Sequence, residues 1–401
     1  MGSRVSWRRH AARTQVCLLA VAALCCAGVS ARGEPDWTIH NKVLGAPKKS
    51  GDGIKKAEDV SGLACATSEG FPRFCLIVDD ETQGAQVVIL EDGSGEAGDY
   101  IQLSTDQFSE AGQTEPLELD AEAVAYSDGY FYVMGSHGRP RKKDVPREKK
   151  SDASAAASRH LYCIRIGPDD EKRKRRELKA EPRIRESSPL SDILESHKAR
   201  LKWNERLDND GLTIEGMAVR DGRLYAGLRA PVVDGKAAIV SIPLNQLFGN
   251  PKAGEPDCGA ASSKAGSVEL VWVKLCTNRV GSRSGIRDLV SFDSGFLILA
   301  GPTLDPPDGT PIKHGDYAVF YSDLKAAPRK LADLAPYPGS RDKHGKERPS
   351  KPEALLPLEK KDDRLRGLLL FDGPEEGMPT PVEIDLSGID RPPAECRPGA
   401  R

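Results

Sequence analysis

Aromatic residues are scarce in this chain, 5% of 401 positions, and none is interleaved among its two densest runs of basic charge. That combination disfavours nucleic acid, whose bases need stacking platforms beside a cationic track. No Gly-x-Ser-x-Gly segment occurs, which removes the commonest serine-hydrolase signature. No Cys-x-x-Cys pair occurs either, which removes the spacing of zinc and dithiol redox sites. No apolar run reaches the ~20 residues of a membrane span, and no amphipathic helix longer than about three turns is readable.

What is present is a repeat. Asp59-Val60-Ser61-Gly62-Leu63-Ala64, Asp120-Ala121-Glu122-Ala123-Val124-Ala125, Thr213-Ile214-Glu215-Gly216-Met217-Ala218, Ile286-Arg287-Asp288-Leu289-Val290-Ser291 and Lys351-Pro352-Glu353-Ala354-Leu355-Leu356 overlay without gaps. One column then reads Ser61, Glu122, Glu215, Asp288 and Glu353, at intervals of 61, 93, 73 and 65 residues. These intervals suit a four-stranded propeller blade with loops, although they exceed the ~40 to 50 residues of the best-known propeller repeats. A turn and a second extended run follow, as in Asp128-Gly129 before Tyr130-Phe131-Tyr132-Val133-Met134 and Asp221-Gly222 before Leu224-Tyr225-Ala226-Gly227-Leu228. Asp-Gly between β-rich runs is a strong hairpin signal, because both residues tolerate positive φ. The expected fold is an all-β propeller of five blades, or six if another hides in the 122–215 interval. Residues 37–44 are the candidate strand closing the ring from the N-terminal side.

Residues 1–31 carry four arginines, then an apolar stretch over 16–29, then Val29-Ser30-Ala31, the pattern of a signal peptide with a small-residue cleavage site. A single propeller domain over 32–390 and a tail over 391–401 are expected to follow. Without the leader the chain has 54 basic and 60 acidic residues, a net charge of about −6. A periplasmic or secreted monomer without a transmembrane anchor is the expected state. Six cysteines remain, and an even count in an exported chain predicts disulfides. Cys65 with Cys75 and Cys258 with Cys276 are local pairs, which leaves Cys163 with Cys396.

Two basic insertions, at about 139–158 and 167–205, read as solvated surface loops or as contacts to an anionic partner.

The chemistry follows from geometry. In a propeller the innermost strands crowd the central axis, so small residues beside the column are expected and the column itself marks one mouth of the channel. The second strands end at that mouth, bringing Asp79-Asp80-Glu81, His137, Arg139 and Arg229. Converging carboxylates repel unless compensated, and hard oxygen ligands in that number suit calcium or another divalent cation. Glu122, Glu215, Asp288 and Glu353 are the candidate metal ligands. Arg139 and Arg229 are candidates to hold an anionic ligand, and His137 is a candidate base. The alternative is that each acidic residue caps backbone N–H groups of the neighbouring blade.

The Ser61-Gly62-Leu63-Ala64 block with Val78-Asp79-Asp80-Glu81, together with the blocks around Glu122, Glu215 and Asp288, resembles a family of exported bacterial proteins of unknown function. The resemblance spans about 59–373. More distantly, Glu215-Gly216-Met217-Ala218 is similar to phytase-like and esterase-like propellers, some of which are calcium-dependent hydrolases. Two functions are therefore expected from this sequence: a cation-dependent hydrolase of phosphoesters or related esters, or a non-catalytic binding or scaffold propeller of the cell envelope.

Overall fold

The computed structural model describes residues 37–390 except 48–52, 167–181, 262, 265, 278–282, 305–309 and 342–346. The signal segment and Cys396 lie outside the described residues. Five sheets succeed one another along the chain. Blade 1 is Val60–Cys65, Arg73–Asp79, Gly84–Glu91 and Ser94–Gln102. Blade 2 is Ala121–Ser127, Tyr130–Gly135, Leu161–Arg165 and Arg183–Glu186. Blade 3 is Thr213–Arg220, Arg223–Ala230, Ala237–Pro243 and Glu269–Val273. Blade 4 is Ser284–Phe292, Gly295–Pro302, Ala318–Ser322 and Arg329–Asp333, and blade 5 has three strands, Lys351–Lys361, Arg364–Asp372 and Thr380–Asp385. The fold is an all-β, five-bladed propeller, and the long 122–215 interval holds no sixth blade among the described residues.

The tight turns sit where the sequence places them. Asp128 and Gly129 have φ of 51° and 85°, and Asp221 and Gly222 have φ of 50° and 72°, the left-handed pair that matches strand twist in a two-residue hairpin.

Strand periodicity explains how the blades join. Cys75 and Ile77 of blade 1 face blade 5, whereas Phe74, Leu76 and Val78 face blade 2. Side chains on alternate faces of each sheet thus enter different seams. Further seams pack Tyr132 and Met134 with Leu224 and Leu228, Ile239 with Ile298, and Leu299 with Leu369. Five apolar clusters fill five seams, so burial is what closes the circle.

The closing segment differs from the expected one. Thr38–His40 pairs in parallel with Ser94–Glu96 at the outer edge of blade 1, and Trp37, Ile39 and Val43 pack into the seam between blades 1 and 5. Residues 57–59 bridge to blade 5 instead. Gly373 donates its N–H to Glu58 O at 2.8 Å, Glu376 donates to Ala57 O at 2.7 Å, and Asp59 bridges to Asp372. The N-terminal side does close the ring, but through the residues directly ahead of the first blade strand.

Cysteine pairing also differs. Cys65–Cys75 forms as expected, joining adjacent strands of one hairpin, whereas Cys163 pairs with Cys258, tying blade 2 to the loop after blade 3's third strand. Cys276 is disulfide-bonded too, so it is not the partner of Cys258. The basic insertions are partly folded. Helix Glu148–Ala157 buries Ser151, Ala155 and Ala157, and Arg139 clamps its side through Glu148 at 2.7 Å and Asp152 at 2.6 Å. Arg183–Glu186 is the outer strand of blade 2, and helix Pro189–Ser196 buries Leu190 and Leu194 against the seam between blades 2 and 3.

Candidate functional site at the channel mouth

Each innermost strand contains one bulged residue near its start. Val60 pairs with Asp79 and Gly62 with Val78, which leaves Ser61 between them without a cross-strand partner. The same slip isolates Glu122, Glu215, Arg287 and Glu353 in blades 2 to 5. A bulge re-aims the extra side chain, and here it does so five times at one mouth. The structural column is therefore Ser61, Glu122, Glu215, Arg287 and Glu353. In blade 4 the gapless overlay is one residue out of register: Arg287 takes the column position, and Asp288 aligns with Gly62, Ala123, Gly216 and Ala354.

That second column must be small because adjacent innermost strands nearly touch. A Cβ on Gly216 would lie 2.7 Å from Leu289 N, and one on Gly62 would lie 3.1 Å from Val124 N. Asp288 meets the same constraint differently. Its carboxylate accepts the N–H of Leu289 at 2.7 Å and that of Leu355, on blade 5, at 2.8 Å. Asp288 thus links two blades through backbone caps, and burial raises its pKa to about 7.

The column charges sort into two groups. Glu215, 2% exposed, receives Arg229 Nη1 at 2.6 Å on one oxygen and lies 3.0 Å from Arg287 Nε on the other. Arg287, also 2% exposed, contacts Glu353 through Nε at 2.8 Å and through Nη2. Arg229 donates from Nε to Thr303 O at 2.7 Å. Glu215 and Glu353 are therefore held by arginines inside the ring. Arg287 Nη1 is buried there without a hydrogen-bond partner.

Glu122 belongs to the other group. One carboxyl oxygen each from Asp80, Asp120 and Glu122 lie within 4.8 Å of one another, and all three residues are half-buried. Asp80 directly follows blade 1's second strand, and Asp120 precedes blade 2's first strand with φ of 52°. Asp120 also accepts the hydroxyl hydrogen of Ser136, and Oδ1 of Asp80 is buried without a partner. Burial raises the pKa of all three, and the surrounding carboxylates add to it: Asp59, Glu122 and Asp79 act on Asp80, and Glu215 and Asp120 act on Glu122. Asp79 is pushed up to about 7 by burial, although its carboxylate accepts N–H groups of Asp59 and Glu81. Asp59 is pushed up to about 9 by burial and by Asp372, with which it shares a hydrogen bond. Negative charge thus exceeds positive charge on this face. The ring can lower that excess by keeping protons or by taking up a cation.

His137 and Arg139 are not members of the three-carboxylate cluster. His137 is buried, its Nδ1 lies 2.9 Å from Gly135 O, and burial lowers its pKa to about 4, so it is neutral near pH 7. Arg139 is engaged by the helix of the insertion. Asp80, Asp120 and Arg287 were not among the site residues expected from sequence. Asp80 is expected at the mouth together with Asp79 and Glu81, and Asp120 opens the repeat block of Glu122, but nothing in one dimension singles them out from Asp79 or Asp59.

Among solved structures the chain is similar to a GH43 endo-arabinanase from Bacillus licheniformis, at 11% identity over 82% of this chain and 95% of that one, with a TM-score of 0.28. It is similar to an exo-β-1,3-galactanase from Clostridium thermocellum at 11% identity, over 86% of this chain and 62% of that one, with a TM-score of 0.33. It is also similar to virginiamycin B lyase from Staphylococcus aureus at 10% identity, over 81% and 84% of the two chains, with a TM-score of 0.28. These values are too low to transfer a substrate or a reaction. No curated protein matches the chain. The family model described as protein of unknown function DUF3616 matches residues 64–377, more than three quarters of the chain, and the chain belongs to that family.

Proposed function

We propose that this protein is an exported propeller that binds a divalent cation on Asp80, Asp120 and Glu122 and, through it, an anionic small molecule at the channel mouth. One observation carries the reading: three carboxylates from two blades present oxygens within 4.8 Å of one another, and Oδ1 of one of the three residues, Asp80, is buried without a partner. Calcium fits this chemistry, since it accepts ~6 to 8 oxygens and leaves positions for water and a ligand phosphate or carboxylate. Glu215 and Glu353 are the inner support, keeping Arg287 and Arg229 at the axis so that the mouth does not carry unrelieved negative charge. Asp288 acts in this reading as a cap between blades, and His137 and Arg139 hold the loops of the mouth and its insertion without touching ligand.

Export is supported by disulfides at Cys65–Cys75 and Cys163–Cys258, which persist in oxidising compartments. No helix among the described residues is long and apolar enough to cross a membrane.

A bound cation also polarises an ester and activates water, so hydrolysis of a phosphoester is the reaction this mouth would support. The test is retention and turnover of p-nitrophenyl phosphate with calcium, and again after chelation. Retention that requires calcium and is lost in Glu122→Gln supports the binding reading, and turnover under the same conditions adds catalysis. Retention indifferent to both chelation and Glu122→Gln contradicts it.

A further inference from the structure

The innermost strands leave the axis at the mouth opposite the acidic one, and there they enclose a cavity of about 490 Å³. All five blades contribute to its wall through Leu63, Val124, Met217, Leu289 and Leu356, each less than 10% exposed. A volume of this size falls in the ~300 to 1,000 Å³ range of small-molecule sites, which combine apolar walls with a few placed polar groups.

A buried carboxyl stands in this wall: Asp288 lines the cavity and is 8% exposed. A carboxylate has about four lone-pair positions, and the N–H groups of Leu289 and Leu355 use two of them. Nearer the rim, Lys360 is paired with Asp293 at 2.6 Å. Arg73 spends its donors on the carbonyls of Gly70 at 2.8 Å and Pro357 at 2.9 Å. Glu69 and Glu359 complete the charged lining, so four acidic residues face two basic ones, both already engaged.

An apolar funnel with a net negative lining and a buried carboxyl selects a particular chemistry. We propose that this funnel is a second binding site, distinct from the acidic mouth, that takes a cationic amphiphile of the primary alkylammonium type, its head meeting Asp288 and its chain lying on Leu63, Val124, Met217, Leu289 and Leu356. A neutral alcohol of the same length keeps the apolar contact but forgoes the charge-assisted hydrogen bond, and a carboxylate meets like charge.

Calorimetric titration with octylammonium, octanol and octanoate at about pH 8.5, where Asp288 is ionised and the amine still protonated, tests this. Octylammonium is expected to bind one to one, about tenfold or more tighter than octanol, with octanoate weakest and with the same affinity after chelation of divalent cations. Ala64→Trp, which fills the wall away from Asp288, is expected to abolish binding of both octylammonium and octanol. Asp288→Asn is expected to bring octylammonium down to the octanol level while leaving octanol unchanged. Equal affinity for the three probes, no binding of octylammonium, or binding that survives Ala64→Trp overturns the proposal. Because the acidic mouth takes no part, failure here leaves the cation reading standing, and the reverse holds too.

Discussion

Arg287 reaches across the seam between the fourth and fifth blades and donates from Nε to Oε2 of Glu353 at 2.8 Å. Both residues occupy the bulged position of their innermost strands, and the same guanidinium lies 3.0 Å from Glu215 of blade 3. One cation therefore joins three blades at the axis. Removing one partner of a buried ion pair leaves an uncompensated charge, which costs about 3 to 5 kcal/mol. Arg287→Ala is expected to destabilise by about that amount in a urea titration, with Glu353→Gln costing less because the arginine keeps Glu215. A loss below about 1 kcal/mol for Arg287→Ala would mean that the ring does not depend on this residue.

The joint between blades 1 and 5 carries a pH dependence of definite sign. Asp59, raised to about 9 by burial and the neighbouring Asp372 carboxylate, holds a proton in the folded state that it has released in the unfolded chain above the ordinary carboxylate range. The folded state then binds more protons than the unfolded one, so stability falls as pH rises from about 5 to about 9. Urea midpoints of cation-free protein are expected to decline over that window, and Asp59→Asn is expected to shallow the decline. A midpoint that climbs with pH would reverse the assignment.

The two located disulfides differ in what they constrain. Cys65–Cys75 closes a short hairpin with a sequence separation of 10, whereas Cys163–Cys258 spans 95 residues and joins two blades. In the chain-entropy account the longer loop matters more, with typical losses of about 2 to 5 kcal/mol when such a bridge is removed. Cys163→Ser is expected to lower the melting temperature more than Cys65→Ser, each measured by calorimetry under non-reducing conditions.

Much of this architecture is legible in one dimension. Asp128-Gly129 and Asp221-Gly222 announce their hairpins because only a few residue types accept positive φ, and five returning apolar runs give five blades. The slip at Arg287 is not legible, because a bulge is a property of pairing between strands and an ungapped overlay has no pairing in it. Ion pairing is hidden for the same reason: Glu122 and Glu215 look equivalent along the chain, yet of the two only Glu215 is held by Arg229 and Arg287. Cys258 pairs with Cys163 because propeller closure brings blade 2 beside the loop after blade 3's third strand, a proximity that spacing does not encode. The funnel is not legible either, because its walls are ordinary apolar residues, a few from each blade, gathered only by the ring.

The most direct test of the central claim is metal content and calcium titration of chelator-stripped protein, followed by thermal melts. One divalent cation per chain and a stabilisation of about 2.7 kcal/mol at a hundredfold excess over Kd are expected, with both lost in Asp80→Asn and Glu122→Gln. No stoichiometric cation, together with melting unchanged by calcium or chelator, would contradict it.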